Sequence, residues 1–267
     1  MTELDAGRAR RAIVEHTRRL AESAAAIGPA AAVPTTPGWT VSDLVAHLGQ
    51  TQHWVAEVIE QRITNPTELP TEMAALPTDP SDWGAWLTKS AQRVVDACSD
   101  DALNAAVFNA AGDERSGTQF WMSSMLNEAV VHGFDAANAA GRQAEIDADI
   151  AAALISNHFA MLVSPTWQIQ RSESARALRG TGQTLRWLAT DTADDGRAWF
   201  VDRRPDDMAW QRAILPAEVT VAGPAASLLL VLTRRRPATA DETSGITIEG
   251  DTNLVRHWLD NTAHVSG

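Results

Sequence analysis

Glu128 and His132 stand four residues apart in a stretch, Trp121 to Ala140 (WMSSMLNEAVVHGFDAANAA), that is apolar along most of its length. On an α-helix this spacing stacks the two side chains one turn apart on one face, so a carboxylate and an imidazole can converge on a single atom. Trp121, Met125, Glu128, His132 and Asp135 keep the 3-4 spacing of a core stripe, which turns its polar members inward. A buried carboxylate without a partner is costly and is normally neutralised, paired or bound to a metal. A divalent cation suits a carboxylate beside an imidazole; an ordinary Glu-His pair on a bundle helix is the other reading, and E-x-x-x-H alone does not choose between them. Asp135, one turn after His132, also has two readings: it orients the imidazole, or it caps or ion-pairs elsewhere.

A second histidine lies upstream. Trp39 and Leu44 flank Thr40 at the spacing of a hydrophobic staple, and Thr40 with Asp43 forms an acidic capping box, so a helix starts at Thr40. Along it Leu44, His47, Leu48, Thr51, Val55 and Val58 share one side, which brings His47 to a core-facing position. That position fits a satisfied core histidine as well as a ligand. His53 falls on a different face and stays outside any ligand set with His47, although with Trp54 it can line a pocket.

Other elements must hold these helices. Residues 3–27 read as a charged amphipathic helix, with His16 and its neighbouring arginines on the solvated face. Three prolines between Gly28 and Gly38 then turn the chain into the Thr40 helix. A Pro-rich connector spans 65–80, Trp83 to Cys98 forms a third helix, and 100–116 is a polar connector to the Glu128 helix. The economical packing of four such helices is an antiparallel four-helix bundle. A further helix runs from Asp147 to Leu162, bounded by Pro165. Beyond it, strands are expected at Thr184–Thr190, at Trp199–Asp202 after an Asp-Asp-Gly turn, at Glu218–Val221 and at Ile246–Ile248. Helices follow at Ala225–Arg235 and Asn253–Asn261. The fold class is α plus α/β: a helical domain over 1–165 and a small α+β domain over 166–267.

The net charge of −12 is carried by the first domain, −11 to position 165 against −1 for the remainder. That balance argues against nucleic acid, whose phosphates need clustered cations. Cys98 is the only cysteine, so an intrachain disulfide is excluded and the thiol reads as a small buried residue. The first twenty residues lack an apolar signal-peptide core and no run is long enough to span a bilayer, so a cytoplasmic protein is expected. Lys89 is the only lysine, and the Ala- and Arg-rich composition suits a GC-rich genome.

The segments GWTVSDLVAHLGQTQHW and NEAVVHGFDAANAAG together resemble the N-terminal domain of the mycothiol-dependent maleylpyruvate isomerase family, a branch of the DinB-like metal-binding bundles. VAGPAASLLLVLTRRRP and ITIEGDTNLVRHWLD resemble the family's C-terminal domain. The resemblance implies a divalent metal, usually Zn2+, held by His47, Glu128 and His132; imidazole and carboxylate donors also suit Ni2+ or Fe2+. It implies mycothiol as the thiol cosubstrate, whose thiolate adds to an activated double bond, permits rotation and leaves, or opens an electrophile in a transfer reaction. Arg235 aligns with an arginine after the family's Leu-rich helix and is a candidate for gripping a carboxylate. This chain has Thr233 and Arg234 where the family often has Trp and Gly. A solvated arginine run at a helix end is the competing reading of Arg235.

Three protein ligands leave a coordination position for a thiol or a water, the pattern of catalytic rather than structural zinc. The expected function is a metal-dependent, mycothiol-using isomerase or thiol transferase acting on a small electrophile, as a monomer or homodimer. Two alternatives remain at this point. One is a non-catalytic metal-stabilised binding module, marked by a fourth protein ligand; the other is a metal-dependent hydrolase with Asp135 or another carboxylate as base.

Overall fold

The computed structural model describes residues 4–192, 197–239 and 244–263. The chain divides into two compact units, 5–145 and 146–266. The first holds helices Ala6–Ile27 (α1), Val41–Glu60 (α2), Trp83–Ala97 (α3) and Gly117–Ala139 (α4). Capping boxes start two of them. Thr40 Oγ1 accepts from the Asp43 N–H while Asp43 Oδ2 accepts from the Thr40 N–H at 2.8 Å. Ser116 and Gln119 exchange the equivalent bonds at the start of α4, at 3.1 and 3.3 Å.

The directions of these helices depart from the all-antiparallel bundle expected from sequence. Gly49 lies under the Trp86 ring, Gln52 bonds Ser90 and Glu60 pairs with Arg93, so α2 and α3 run parallel. His16 faces Gly133 and the Glu22 carbonyl accepts from Arg142, so α1 and α4 are parallel too. Contacts between α2 and α4 run in opposite senses, Trp54 meeting Trp121 and His47 meeting Glu128. The reason is the connector 61–82. At about 3.3 Å per extended residue it exceeds the roughly 30 Å of a 20-residue helix such as α2. It runs back along α2, held first by Trp54 Nε1 on the Pro70 carbonyl and then by Gln50 Nε2 on that of Ala74. It delivers α3 to the end where α2 began.

One apolar cluster in this unit gathers Leu20 of α1, Val33, Leu44 and Leu48 of α2, Leu87 of α3 and Ala136 of α4. A polar link crosses the interior as well. Fully buried Gln52 donates to Thr17 Oγ1 at 2.8 Å and accepts from Ser90 Oγ at 2.7 Å, tying α1, α2 and α3 together. His16 is not on the solvated face: it is buried where α1 meets Gly133 of α4.

The second unit contains Ala148–Leu162 (α5), Pro165–Gln170 (α6), Ser172–Ala177 (α7), Ala225–Leu232 (α8) and Thr252–Asp260 (α9). Its strands are Gln183–Ala189 (β1), Ala198–Arg203 (β2), Met208–Arg212 (β3), Val219–Gly223 (β4) and Thr247–Gly250 (β5). They form one mixed sheet in the order β3-β2-β1-β4-β5, in which only β1 and β4 are parallel. The edge strand β3 was not anticipated, because MAWQR shows neither a clean alternation nor a β-branched run. The Asp-Asp-Gly turn lies outside the described residues.

Helix α5 packs on α8 in this unit, so the division by contacts falls before α5, whereas the sequence boundary at 165 falls after it. Pro165 ends one helix and, capped by Ser164, occupies the first turn of the next. The interior is aromatic: Trp187, Trp199, Trp258 and Phe159 are fully buried. Ser156 receives both Trp199 Nε1 at 2.9 Å and Arg212 Nη1 at 2.7 Å, and the Arg212 guanidinium lies 4.5 Å from the Trp199 ring centre.

Helix α8 ends at Leu232 because Arg234 adopts a left-handed backbone with φ 66°, letting the Arg235 and Arg236 N–H groups reach back to the Leu230 carbonyl at 2.8 and 3.0 Å. Glycine is the ordinary occupant of that position. Arg234→Gly is expected to raise stability by up to about 1 kcal/mol, since the exposed pair it loses with Asp260 contributes little. An unchanged or lower urea midpoint would contradict this. Gln52→Leu is expected to cost about 1–3 kcal/mol by leaving the Thr17 hydroxyl without its buried partner. Chemical denaturation would read it, and a loss below about 0.5 kcal/mol would remove the link from the account.

Candidate metal centre

The inward stripe of α4 meets the His47 side of α2. His47 Nε2 lies 2.8 Å from Glu128 Oε2, and His132 Nε2 lies 3.1 Å from the same oxygen. One ligand atom from each of the three residues can be chosen so that all lie within 4.8 Å of one another. The imidazoles meet edge to face with centroids 4.9 Å apart. The chemistry of the set fits a divalent cation: two imidazole nitrogens and one carboxylate oxygen drawn from two rigid helices. Among the described residues, no fourth His, Cys, Asp or Glu joins this group.

Asp135 lies against the His132 ring. Its Oδ2 lies 2.9 Å from His132 Nδ1, which leaves Nε2 directed at the Glu128 side. The carboxyl has no exposed surface, and its Oδ1 accepts from Thr35 Oγ1 at 2.6 Å. Trp39 covers the histidines, stacked on His132 at 5.8 Å and edge-on to His47 at 5.1 Å.

Charge follows from this packing. Burial pushes the Glu128 carboxyl up, but hydrogen bonds and charge from His132 and His47 prevail and hold it well below the usual carboxylate range. Burial pushes the His132 imidazole down, yet Asp135 and Glu128 outweigh it and raise the group to about 9.

Sequence reasoning therefore named four residues that the structure brings together: His47, Glu128, His132 and Asp135. Arg235 lies in the 146–266 unit, on the turn after α8, with Nη1 donating to the Thr233 carbonyl at 2.9 Å. His53 is outside the cluster and packs on Trp86 of α3 at 5.6 Å. Trp54 pairs with Trp121 at 5.3 Å. Two members were missed. Trp39 was visible only as half of a staple, and Thr35 sits in a Pro-rich turn with no motif to mark it.

The model of the mycothiol maleylpyruvate isomerase N-terminal domain matches residues 10–137, and that of the C-terminal domain of the same isomerase matches residues 145–257. The chain belongs to the mycothiol maleylpyruvate isomerase family. Among solved structures, a mycothiol-dependent maleylpyruvate isomerase and a histidine-to-alanine variant of that enzyme are both similar to this chain. Each is 18% identical with a TM-score of 0.57, over 93% of this chain and 95% of the other, a likeness that speaks to the fold. No curated protein matches the chain. The family domains span both units, and the candidate ligands all fall within the N-terminal one. Among the described residues no helix is long and apolar enough to cross a membrane.

The two titrating groups have opposite signs in metal-free protein. The Glu128 contribution to stability is complete above its ordinary value of 4.5 and is lost as pH falls through its depressed native value. That of His132 is complete below 6.5 and is lost as pH rises through about 9. The urea midpoint of chelator-treated protein should therefore fall between pH 6.5 and about 9, and Glu128→Gln should shift the fall to lower pH. A midpoint that stays flat across that interval in the wild type would exclude the charged pairing of His132 with Glu128.

Proposed function

We propose that the chain is a divalent-metal-dependent, mycothiol-using enzyme, an isomerase or S-transferase acting on a small electrophile. The observation that carries this reading is the convergence of His47, Glu128 and His132, with the second nitrogen of His132 engaged by a buried carboxylate. Support also comes from the family, whose members include a mycothiol-dependent isomerase. The four helices are read as a DinB-like bundle. Zn2+ is the first candidate ion, with Ni2+ or Fe2+ compatible with the same donors. When bound, such an ion lowers the pKa of a thiol or water at its remaining position.

The chain's own residues divide the remaining work. His47 Nε2, His132 Nε2 and a Glu128 oxygen supply the ligands, and Asp135 keeps the His132 proton on Nδ1. Trp39 stacks on the His132 ring and so covers one of its faces. Cys98 is not the sulfur donor: burial pushes its thiol up to about 12, opposed by Arg10. The sulfur is therefore assigned to mycothiol. In the isomerase reaction, its thiolate adds to one carbon of an activated double bond and the π electrons move onto the activating group. Rotation about the resulting single bond and return of those electrons expel the thiolate unchanged. In the transferase reaction, the thiolate instead keeps the new C–S bond and the electrophile's leaving group or opened oxygen takes up the electron pair. Arg235 is assigned to a carboxylate of substrate or thiol, on the fork geometry of guanidinium.

The test is metal content by elemental mass spectrometry on wild type, His47→Ala, Glu128→Ala and His132→Ala, with circular dichroism as the check of folding. Near-stoichiometric metal in the wild type, lost in each folded variant, is expected, together with turnover of electrophiles only when mycothiol is present. Wild type that takes up no metal on reconstitution would sink the proposal, and hydrolysis without thiol would replace it with the hydrolase.

A further inference from the structure

The turn between α1 and α2 touches the centre from two sides. It is closed by backbone bonds: Val33 N–H to the Trp39 carbonyl at 3.0 Å, Trp39 N–H to that of Thr36 at 3.0 Å, and Val41 N–H to that of Ala31 at 2.9 Å. Ala32 and Thr40 form an isolated bridge across it. Val33 anchors the turn in the core at 2% exposure. From this frame Trp39 reaches over both imidazoles, while Thr35 reaches to the far side of Asp135.

A carboxylate with no exposed surface needs partners at both oxygens. His132 Nδ1 serves Oδ2, and Thr35 Oγ1 serves Oδ1 at 2.6 Å, a short charge-assisted bond from a position a hundred residues away in the chain. Removing the hydroxyl takes this short bond from Oδ1 and alters the balance of contacts that hold the carboxyl in place. A carboxyl on a helix can rotate about its own side-chain torsions, and such a rotation carries Oδ2 off the line to His132. Neighbouring Thr36 is a built-in contrast: its hydroxyl is buried without a hydrogen-bond partner, and the adjacent side chain alone meets Asp135.

The geometry points to Thr35 as a positioning residue for the metal centre, acting through Asp135 on the orientation of the His132 ligand nitrogen. This rests on the metal reading of His47, Glu128 and His132. Partners beyond a direct ligand are known to affect metal affinity by about 10–100-fold in such sites, which sets the expected size.

The test is a metal competition titration against a chromophoric chelator, with the absorption spectrum of the Co2+-substituted protein as second readout. Thr35→Val is expected to weaken metal binding about 10-fold or more and to alter the Co2+ ligand-field bands, Thr35→Ser to restore both, and Thr36→Val to leave both unchanged. A merely structural threonine would lower the unfolding midpoint of Thr35→Val without moving affinity or spectrum, and that result would overturn the inference. Equal effects of Thr35→Val and Thr36→Val would do the same. If Thr35→Val does not fold, Thr35→Ala carries the same expectation. The two levels separate cleanly: wild type that binds no metal removes the functional reading and this inference with it, whereas tight binding retained without the hydroxyl removes this inference alone.

Discussion

A single carboxylate with no solvent exposure governs the N-terminal unit. Asp135 can sit buried on α4 only if both its oxygens are served, and its partners include His132 on its own helix and Thr35 in a distant turn. The cost of an unpaired buried charge exceeds that of any one packing defect around it, so the turn and the helix are specified together. His132, pinned on one side, presents its other nitrogen to Glu128; Glu128 in turn meets His47 from α2. The centre is thus a chain of dependent contacts: turn, carboxylate, imidazole, carboxylate, imidazole. From Asp135 onward each link lies closer to water, the side chains of Asp135, His132, Glu128 and His47 being 0%, 8%, 27% and 37% exposed.

The helical framework supports that chain by unequal means. Between α1, α2 and α3 the Gln52 amide supplies direction as well as attraction, because only one alignment of the three helices satisfies Thr17 and Ser90 together. Where α2 crosses α3, Gly49 admits the Trp86 ring; a methyl group there would overlap it. Trp54 against Trp121 closes the α2–α4 seam two turns from the ligands. In the C-terminal unit, Ser156 similarly gathers an indole and a guanidinium. Buried polar groups recur wherever a register must be unique.

Much of this was legible in the chain. Capping residues at Thr40 and the 3-4 spacing through His47, Glu128 and His132 are local signals, and helices obey local rules. The four-residue cluster followed from them once two helices were allowed to face each other. Three things were not legible for the same reason: they depend on contacts between distant residues. The direction of α3 is set by a connector whose prolines give no hint of where it lies; His16 is buried where α1 meets Gly133 of α4; and Thr35 acquires its partner a hundred positions later. The beginning of α4 at Gly117 is different, since the polar connector expected over 100–116 ends where the helix starts. The edge strand β3 escaped because an edge asks little of its sequence.

The return path of residues 61–82 along α2 also makes the centre a distant closure in the chain. His47 and Glu128 are 81 residues apart, with the connector and α3 between them. The entropy of closing so long a loop falls due before the contact repays it. The centre is a long-range feature of the whole unit: neither α2 nor α4 alone holds both His47 and Glu128.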